Sequence, residues 1–389
     1  MVDEIFKRDG YVSEFEAEVT SVDGEWVAFG GTAFFPGGGG QAHDTGHAGG
    51  FPVTEVRRDG GDIWHRIPGH PFSAGDRIWC GVDWDRRYDL MKGHTAEHLL
   101  FHYLGEGDPG LEIVKISIAP EGKHVVVTRD VPWRIVADAV AKANAAVSEN
   151  HPVTWVTMGR DEVESEGVRA KLERIEGDRI TVAAIGDVDV AACSGIHVME
   201  TGEIGQIFVD RKVSAGKDGV AIHFKVGDEA REASNELAYL GLEAIDAMDS
   251  KPGDLLKTIG NARDELASLK KASRDASKAL LFGIAPENFG GVDVYAGSFP
   301  VDRDSMVEAA ESIRGGGGVA LFASAAWPAV VAASGTDRVD CKKILSEVLP
   351  EFGGKGGGKK EFAQGGVPVE DAERAVDALK AAVAASLSP

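Results

Sequence analysis

The sequence predicts a multidomain α+β protein, with a small N-terminal β-barrel, an α+β core, a helical hairpin linker and a C-terminal α/β domain. Short apolar–polar alternations separated by glycine turns fill residues 1–88. Mixed helical and strand patterns occupy 89–227 and 286–389, and a mostly helical stretch rich in Leu, Ala and charged residues covers 228–285. A chain of 389 residues is long enough for roughly two to four such domains.

The N-terminal prediction rests on strand periodicity. Phe15, Ala17 and Val19 alternate with polar residues, and Asp23-Gly24 marks a turn before the next apolar run. Further turn signals recur up to Asp76, including a run of four glycines at 37–40. Many short strands joined by glycine-rich turns favour a small antiparallel barrel or sandwich.

The region 89–227 alternates helices with strands. Helices are predicted over 89–104, where Gly105 ends the pattern, and over 132–150. Strands are predicted over 114–118, 124–128, 179–185 and 188–192. This order is typical of an α+β domain.

The region 228–282 is predicted to be helical, with a break at Lys251-Pro252-Gly253. Periodicity alone leaves two interpretations, a spacer or an oligomerisation element. A homodimer would form through this segment or through the C-terminal domain.

The C-terminal domain is predicted from strands over 292–296 and 319–323 and a terminal helix over 369–384. Between them, the glycines of 353–366 stand beside Lys355, Lys359 and Lys360. Backbone N–H groups and cations in one place are typical of an anion-binding loop. The alternative is a flexible linker.

Composition indicates a soluble cytoplasmic protein. Three cysteines do not make a disulfide framework, so a reducing compartment is expected. The first residues carry acidic groups and no signal-peptide core, and no apolar run is long enough to cross a membrane. The net charge of −22 means that contacts with phosphates would need a local basic patch.

Two pairs of residues have the spacing of metal ligands. His94 and His98, in the sequence HTAEH, lie one helical turn apart and face the same way. Cys193 and His197 flank a short Ser-Gly-Ile segment at a predicted strand end. Three imidazoles and one thiolate favour zinc.

The role of the metal stays open at this point. Four protein ligands would make a closed structural site, whereas a catalytic zinc keeps one position open. His197 would then bind loosely, leave, or act as a proton acceptor.

A competing interpretation uses the H-x-x-E-H signature of inverted zincin proteases. Glu97 would be the general base, and Glu173 or Glu176 the third ligand. This interpretation leaves Cys193 and His197 without a role. Otherwise Glu97, about 100° around the helix from His98, is expected to be a solvated or supporting residue.

Four motifs in order resemble alanyl-tRNA synthetase, and the match spans nearly the whole chain. GTAFFPGGGGQAHDTG (31–46) is similar to the glycine-rich motif ahead of its editing core. HTAEH, with Arg87 and Met91 before it, and the 193–205 segment resemble the two zinc motifs of its editing domain. GGKGGGKKEFAQGG (353–366) resembles its DHH-associated domain. The chain begins at the barrel, without an aminoacylation domain, so the expected match is the long form of AlaX, the free-standing trans-editing family.

The resemblance implies hydrolysis of the ester that joins a wrong amino acid, usually serine and sometimes glycine, to alanine tRNA. It places Gln41 near the site, where the amide would donate to an oxyanion or hold the serine hydroxyl. Four glycines would let the backbone approach and bind the substrate. These are Gly37, Gly38, Gly39 and Gly40. The lysines of 353–366 would bind the tRNA.

Two departures and one alternative accompany the resemblance. The second zinc motif of the family usually reads C-G-G-T-H, and here Ser194 and Ile196 replace a glycine and the threonine. The ligands are retained but a hydroxyl beside the site is lost, which affects positioning and amino-acid preference. The alternative function is a tRNA-binding module with a structural zinc.

Overall fold

The computed structural model describes residues 2–166, 168–170, 172, 175 and 177–388. The chain forms two compact units, Met1–Glu243 and Ala244–Pro389. Both units combine helices with sheets, so the multidomain α+β prediction is confirmed at this level. Among the described residues, no helix is both long and apolar enough to cross a membrane.

The first unit contains the larger apolar core. Its strands and helices, in chain order, are β1 (Asp3–Glu4), α1 (Ile5–Arg8), β2 (Glu14–Asp23), β3 (Trp26–Phe29), β4 (Gly31–Thr32), β5 (Gly46–Ala48), β6 (Phe51–Val53), β7 (Glu55–Asp59), β8 (Asp62–Arg66), β9 (Arg77–Val82), α2 (Trp84–Gly107), β10 (Ile113–Ala119), β11 (Gly122–Val127), α3 (Trp133–Glu149), β12 (Val153–Gly159), α4 (Arg160–Ser165), β13 (Arg179–Ile185), β14 (Asp189–Ala192), β15 (Ile207–Ser214), β16 (Val220–Val226) and α5 (Gly227–Ala247).

The N-terminal strands form a nearly closed seven-stranded sheet in the order β6-β5-β9-β2-β3-β8-β7. The long strand β2 joins its two halves, because its first half pairs with β9 and its second half with β3. The two edge strands, β6 and β7, are separated only by Thr54. Alternate residues of β2, among them Phe15, Ala17 and Val19, are buried, as the alternating pattern predicts.

Helix α2 runs through the middle of the first unit. Its N-terminus is capped by Asp83, whose carboxylate accepts a hydrogen bond from the backbone N–H of Arg86. The helix packs against α3, strands β10, β11 and β16, and β14. Every residue from 93 to 101 is buried, so no face of the helix meets solvent at this level.

Two further antiparallel sheets flank α2. One has the order β10-β11-β16-β15, and the other has the order β12-β13-β14. The second sheet buries Ile180 and Val182 of β13 against Val163 of α4. Strand β14 ends at Ala192, which delivers Cys193 to the vicinity of α2.

The second unit is a six-stranded sheet with helices, in the strand order β17-β18-β19-β20-β22-β21. Its elements are α6 (Leu255–Phe282), β17 (Glu287–Phe289), β18 (Val292–Phe299), α7 (Arg303–Gly315), β19 (Val319–Ser324), β20 (Val330–Ser334), α8 (Cys341–Val348), β21 (Lys355–Gly358), β22 (Phe362–Gly366) and α9 (Ala372–Leu387). Strands β18 and β19 are parallel, and α7 connects them.

The glycine-rich segment near the C-terminus is a hairpin of β21 and β22. The segment is therefore paired strand and not a flexible linker, because the glycines take part in strand pairing, and anion binding by this segment stays a prediction. Their small size serves packing: a Cβ at Gly356 would lie 2.9 Å from Leu349, and one at Gly365 would lie 2.5 Å from the same side chain. The three lysines of this segment are exposed.

The helical segment breaks where the sequence predicts, since α5 ends at Ala247 and α6 begins at Leu255. Helix α5 crosses the boundary between the two units. The four-domain division of the chain and a homodimer through this segment stay predictions.

Candidate metal centre

The four predicted ligands lie together in the first unit. One donor atom from each of His94, His98, Cys193 and His197 lies within 4.8 Å of the others. The Sγ atom of Cys193 is 3.3 Å from Nε2 of His94 and 3.3 Å from Nε2 of His197. Ligands of a tetrahedral zinc lie roughly 3.3–3.6 Å apart, from Zn–N and Zn–S distances of about 2.0–2.3 Å. The cluster can therefore hold a metal ion of this size.

Each imidazole of the cluster is oriented through its Nδ1 atom. Nδ1 of His94 lies 2.8 Å from Oε1 of Gln41, and Nδ1 of His98 lies 3.0 Å from a carboxylate oxygen of Asp189. Both partners are oxygen acceptors, so Nδ1 carries the proton in each ring. The Nε2 atoms are left to bind a metal, as metal-bound histidines normally require.

Thr95 gives His197 the same arrangement. Its hydroxyl donates to the backbone carbonyl of Met91 and lies 3.2 Å from Nδ1 of His197. A hydroxyl that donates elsewhere accepts from the ring, so His197 is also protonated at Nδ1. The same oxygen accepts from the backbone N–H of Val198. Thr95 thus joins the first ligand pair to the second.

Asp189 is buried between an arginine and two histidines. Arg169 donates to it at 2.7 Å, and His102 approaches its other carboxylate oxygen at 3.6 Å. Burial opposes its ionisation, but His102, His98 and Arg169 hold the pKa of this carboxyl well below its usual range. Burial by itself would lower the pKa of His98. The hydrogen bond to Asp189 and the neighbouring Cys193 outweigh burial and raise this pKa to about 10. Asp189 therefore remains an anion that fixes the His98 ring.

The thiol of Cys193 favours its ionised form. Burial opposes ionisation, yet His94 and His197 hold the pKa of this thiol well below its usual range. The His197 imidazole has its pKa lowered to about 4 by burial. A thiolate beside the neutral imidazole of His197 suits metal binding, and a bound ion would displace the proton from Nε2 of His98.

Gln41 is buried and holds two parts of the site together. Its Oε1 atom accepts from His94 and, at 3.1 Å, from the backbone N–H of Ile196. Its Nε2 atom has no hydrogen-bond partner among the residues that the structure describes. The catalytic role of Gln41 stays a prediction, and only its N–H₂ group is available for it.

A buried ion pair fixes the glycine-rich loop to α2. The Arg87 guanidinium pairs with Asp44 and also donates to the carbonyls of Ala33 and Gly10. Asp44 accepts from the backbone N–H of Phe35 as well, at 2.6 Å. These contacts enclose residues 33–44, so they set the position of the loop relative to the metal ligands.

The last two glycines of the loop allow a close approach to the cluster. Both have positive φ angles, which disfavour other residues. A Cβ at Gly40 would lie 2.7 Å from the carbonyl oxygen of Ile116, and one at Gly39 would lie 3.3 Å from Oγ of Ser194. Ser194, one of the departures from the family motif, therefore lies directly against the loop.

The first two glycines, Gly37 and Gly38, lie in a tight turn that is closed by backbone hydrogen bonds to Gln41. The backbone N–H of Gly38 donates to the carbonyl of Gln41 at 3.1 Å, and its carbonyl accepts from the N–H of Gln41 at 2.9 Å. Both glycines also have positive φ angles, of 83° and 151°. Their contacts therefore hold Gln41 in place, and binding of substrate by Gly37 and Gly38 stays a prediction.

A cleft of about 900 Å³ opens beside the cluster. His94, His98 and Cys193 line it, and so do Gly39 and Gly40. Much of the wall is apolar, formed by Phe101, Leu111, Val114, Ile116, Ile175 and Ile180.

Four of the predicted site residues do not line this cleft: Gly37, Gly38, Gln41 and His197. Of the four glycines expected to bind the substrate, only Gly39 and Gly40 line this cleft. The reason is the tight turn closed by the paired hydrogen bonds between Gly38 and Gln41, which turns the start of the loop away from the cleft.

The structure corrects the expected environment of Glu97. Its side chain is only 1% exposed and lines the same cleft as His94 and His98. The expectation of a solvated residue is wrong because α2 is packed on all sides here. The third ligands of the protease interpretation, Glu173 and Glu176, lie outside the described residues.

Sequence analysis missed the groups that orient the ligands. Asp189 precedes Cys193 by four residues, and Thr95 lies within HTAEH, but neither position is distinctive in a single sequence. Arg169 lies twenty residues before its partner Asp189, with no motif connecting the two. Only the folded chain brings these residues to the histidines.

Comparison with known proteins agrees with this geometry. Residues 180–220, which include Cys193 and His197, match the family described as threonyl and alanyl tRNA synthetase second additional domain. Residues 294–385 match the DHHA1 domain. Along most of its length the chain is similar to both an AlaX editing protein and alanyl-tRNA synthetases. The resemblance inferred from the motifs is confirmed.

These relatives are of two lengths. The alanyl-tRNA editing protein AlaX-L of Pyrococcus horikoshii is 26% identical, with 96% of each chain aligned. The alanine–tRNA ligases of Methanoculleus marisnigri and Methanoregula boonei are 33% and 30% identical over 94% and 92% of this chain. The chain spans only 41% of the length of either ligase. The C-Ala domain of Aquifex aeolicus alanyl-tRNA synthetase is 25% identical over 27% of this chain and all of the domain, with a TM-score of 0.24.

Proposed function

We propose that the chain hydrolyses the ester bond between a wrong amino acid and the 3′ end of alanine tRNA, with zinc at the candidate metal centre. Serine is the expected amino acid, and glycine is a second one. The Pyrococcus horikoshii relative is an alanyl-tRNA editing protein, which supports the reaction class. The observation that carries the proposal is the opening of the ligand cluster onto the cleft.

The ligand set fits zinc. His94, His98, His197 and Cys193 would hold the ion, since the Nδ1 atom of each imidazole is bonded to an oxygen, which leaves Nε2 for the ion, and the cysteine is held as a thiolate. When bound, zinc supplies Lewis acidity, which favours attack of water on an ester carbonyl near neutral pH. An aminoacyl ester is an activated acyl group, so its hydrolysis needs less catalytic power than hydrolysis of an amide.

The glycine loop forms the wall that receives the reacting end of the substrate. Gly39 and Gly40 expose backbone to the cleft, and no side chain on them keeps the substrate away. The N–H₂ group of Gln41 lies behind the loop and is without a partner among the described residues. It would donate to the serine hydroxyl or to the developing oxyanion.

Exposed cations at the cleft suit the RNA. Lys115 and Arg179 both line it and both are exposed. In a chain of net charge −22, they offer local positive charge where the last phosphates of the tRNA would enter. Specificity for the amino acid would come from the cleft itself, because a site that hydrogen-bonds a hydroxyl rejects alanine.

The test compares hydrolysis of Ser-tRNA(Ala), Gly-tRNA(Ala) and Ala-tRNA(Ala) by the zinc-loaded wild-type chain and by Cys193→Ala. We expect release of serine with alanine spared, and loss of both zinc and activity in the variant. Cys341→Ala, in the second unit, is the matched control and should keep both. Full zinc occupancy without hydrolysis of any of the three substrates would overturn the proposal.

The second candidate is a tRNA-binding module with a structural zinc. It is favoured by one observation, that four protein ligands converge and can complete a tetrahedron. Tight binding of tRNA by an inactive, zinc-loaded chain would select this candidate. Cleavage of peptides that is lost in Glu97→Gln would select the protease alternative instead.

A further inference from the structure

Glu97 is a buried carboxylate that has no hydrogen-bond partner in the described chain. Both of its oxygens are inaccessible to solvent and unpartnered there. An ionised carboxylate buried in this way is costly unless another group neutralises it. The side chain also lines the cleft, beside His94 and His98.

The neighbouring charges are already engaged elsewhere. Glu97 interacts at longer range with His98, Arg169, His94 and Cys193. Arg169 donates to Asp189, and the two histidines are bound through Nδ1 to Asp189 and Gln41. Glu97 therefore lies beside the metal centre without sharing in its hydrogen bonds.

The cleft that Glu97 lines is partly apolar. Phe101 and Leu111 are among the apolar residues of the same cleft. An ammonium group entering an apolar cleft needs a counterion, because it leaves its hydration shell behind. The carboxylate of Glu97 offers this counterion, at a position where an electrostatic contact is poorly screened by water.

We infer that Glu97 binds the α-ammonium group of the aminoacyl ester in the cleft. The inference rests on the proposed function, since every aminoacyl-tRNA carries this group beside the ester carbonyl. The contact forms no covalent bond. It holds the carbonyl toward the metal centre and gives affinity for any aminoacyl ester whose α-amino group is free. Discrimination between serine and alanine lies elsewhere in the cleft.

The experiment compares seryl-tRNA(Ala) with N-acetylseryl-tRNA(Ala), which lacks the ammonium, for wild type and Glu97→Gln. We expect wild type to prefer the free amine in kcat/KM by about 10- to 100-fold, the usual value of a hydrogen bond to a charged group. In Glu97→Gln this preference should fall to within about threefold, mostly through KM. Glu112→Gln changes an exposed carboxylate that lines the same cleft and should keep the wild-type preference.

A binding measurement separates this inference from the proposed function. Calorimetry with 3′-(L-serylamino)-3′-deoxyadenosine, a stable amide mimic of the aminoacyl end, and with its N-acetyl form needs no turnover. Weaker binding of the amine form alone in Glu97→Gln, with zinc content and unfolding temperature unchanged, supports the inference even if the wild type hydrolyses nothing. Equal loss of kcat on both substrates with an unchanged preference would overturn it and assign Glu97 to the attacking water. Unchanged binding of the amine form would overturn it as well.

Discussion

The carboxylate of Asp189 lies 3.0 Å from Nδ1 of His98 and fixes the ring that presents Nε2 to the metal centre. The same carboxylate pairs with Arg169, so the histidine, the acid and the arginine form one chain of contacts through the buried Asp189. Such partners of metal-binding histidines determine ring orientation and ligand basicity.

Replacing Asp189 by Asn should lower zinc affinity by about 10- to 100-fold, because the amide is a weaker acceptor and leaves Arg169 without its anion. Competition with a chromophoric chelator measures the affinity. Asp187→Asn, two residues earlier and exposed, is the control and should leave it unchanged. Equal zinc affinity in the Asp189 variant and wild type would show that zinc binding by His98 does not depend on the Asp189 carboxylate.

Replacing Thr95 by Val should weaken zinc binding and lower stability by about 1–3 kcal/mol, because His197 and the N–H of Val198 lose a buried acceptor. Thr95→Ser keeps the hydroxyl and should recover most of both properties. Zinc titration and chemical denaturation of the metal-free protein measure the two effects separately. Identical behaviour of the Val and Ser variants would argue against the hydroxyl as the bridge between the ligand pairs.

His65 should make the first unit less stable in mild acid. The ring is fully buried, with Nδ1 donating to the Val27 carbonyl and Nε2 bonded to the Thr32 hydroxyl. Burial lowers the pKa of His65 to about 4, whereas an unfolded histidine titrates near 6.5. The unfolded state thus binds more protons between these values, and stability falls as pH falls, by about 2 kcal/mol from pH 7 to pH 5.

Denaturation in the presence of a chelator, at both pH values, tests this prediction. His65→Gln should show a smaller loss between pH 7 and pH 5, by the same amount. His47→Gln, at an exposed site of the same sheet, should show the full wild-type loss. The assignment to His65 would be wrong if its variant and the His47 variant lost stability equally.

The three lysines of the C-terminal hairpin are predicted to contact tRNA phosphates. Changing Lys355, Lys359 and Lys360 together to Ala should lower tRNA affinity roughly tenfold at low salt. It should also make the dependence of affinity on salt concentration shallower, because fewer counterions are released. The double variant Lys342→Ala and Lys343→Ala removes exposed charge from α8 of the same unit and is the control. Equal tRNA affinities in the triple and the double variant would show that the tRNA does not contact the three hairpin lysines.

Local patterns in the sequence predicted many of the elements well. The strand over 179–185 matches β13, and the helix over 132–150 matches α3 with Asn150 as its left-handed cap. The predicted helix 89–104 was too short, because it begins at Trp84 behind the Asp83 cap. Apolar periodicity is weak along α2, which is buried on all sides, so its ends are poorly marked by pattern.

Packing between elements accounts for the errors. The glycines of 356–358 are poor strand formers by composition, yet they pair with β22. At Gly356 a Cβ would lie 3.1 Å from Leu345 of α8, so no larger side chain fits at this position. Glu97 was expected to be a solvated or a supporting residue, and burial of its side chain excludes the first of these.

The sequence by itself determined the ligand types and their two local spacings, because a helical turn and a short loop each bring a pair of side chains together. It also indicated the relationship to alanyl-tRNA synthetases and AlaX proteins, through four motifs in order. Only the tertiary structure decided that the two pairs meet, about 100 residues apart in the chain, and that Asp189, Thr95 and Gln41 orient the three rings. The physical reason is that a buried hydrogen bond needs partners from separate strands and helices, and their positions follow from packing of the whole core.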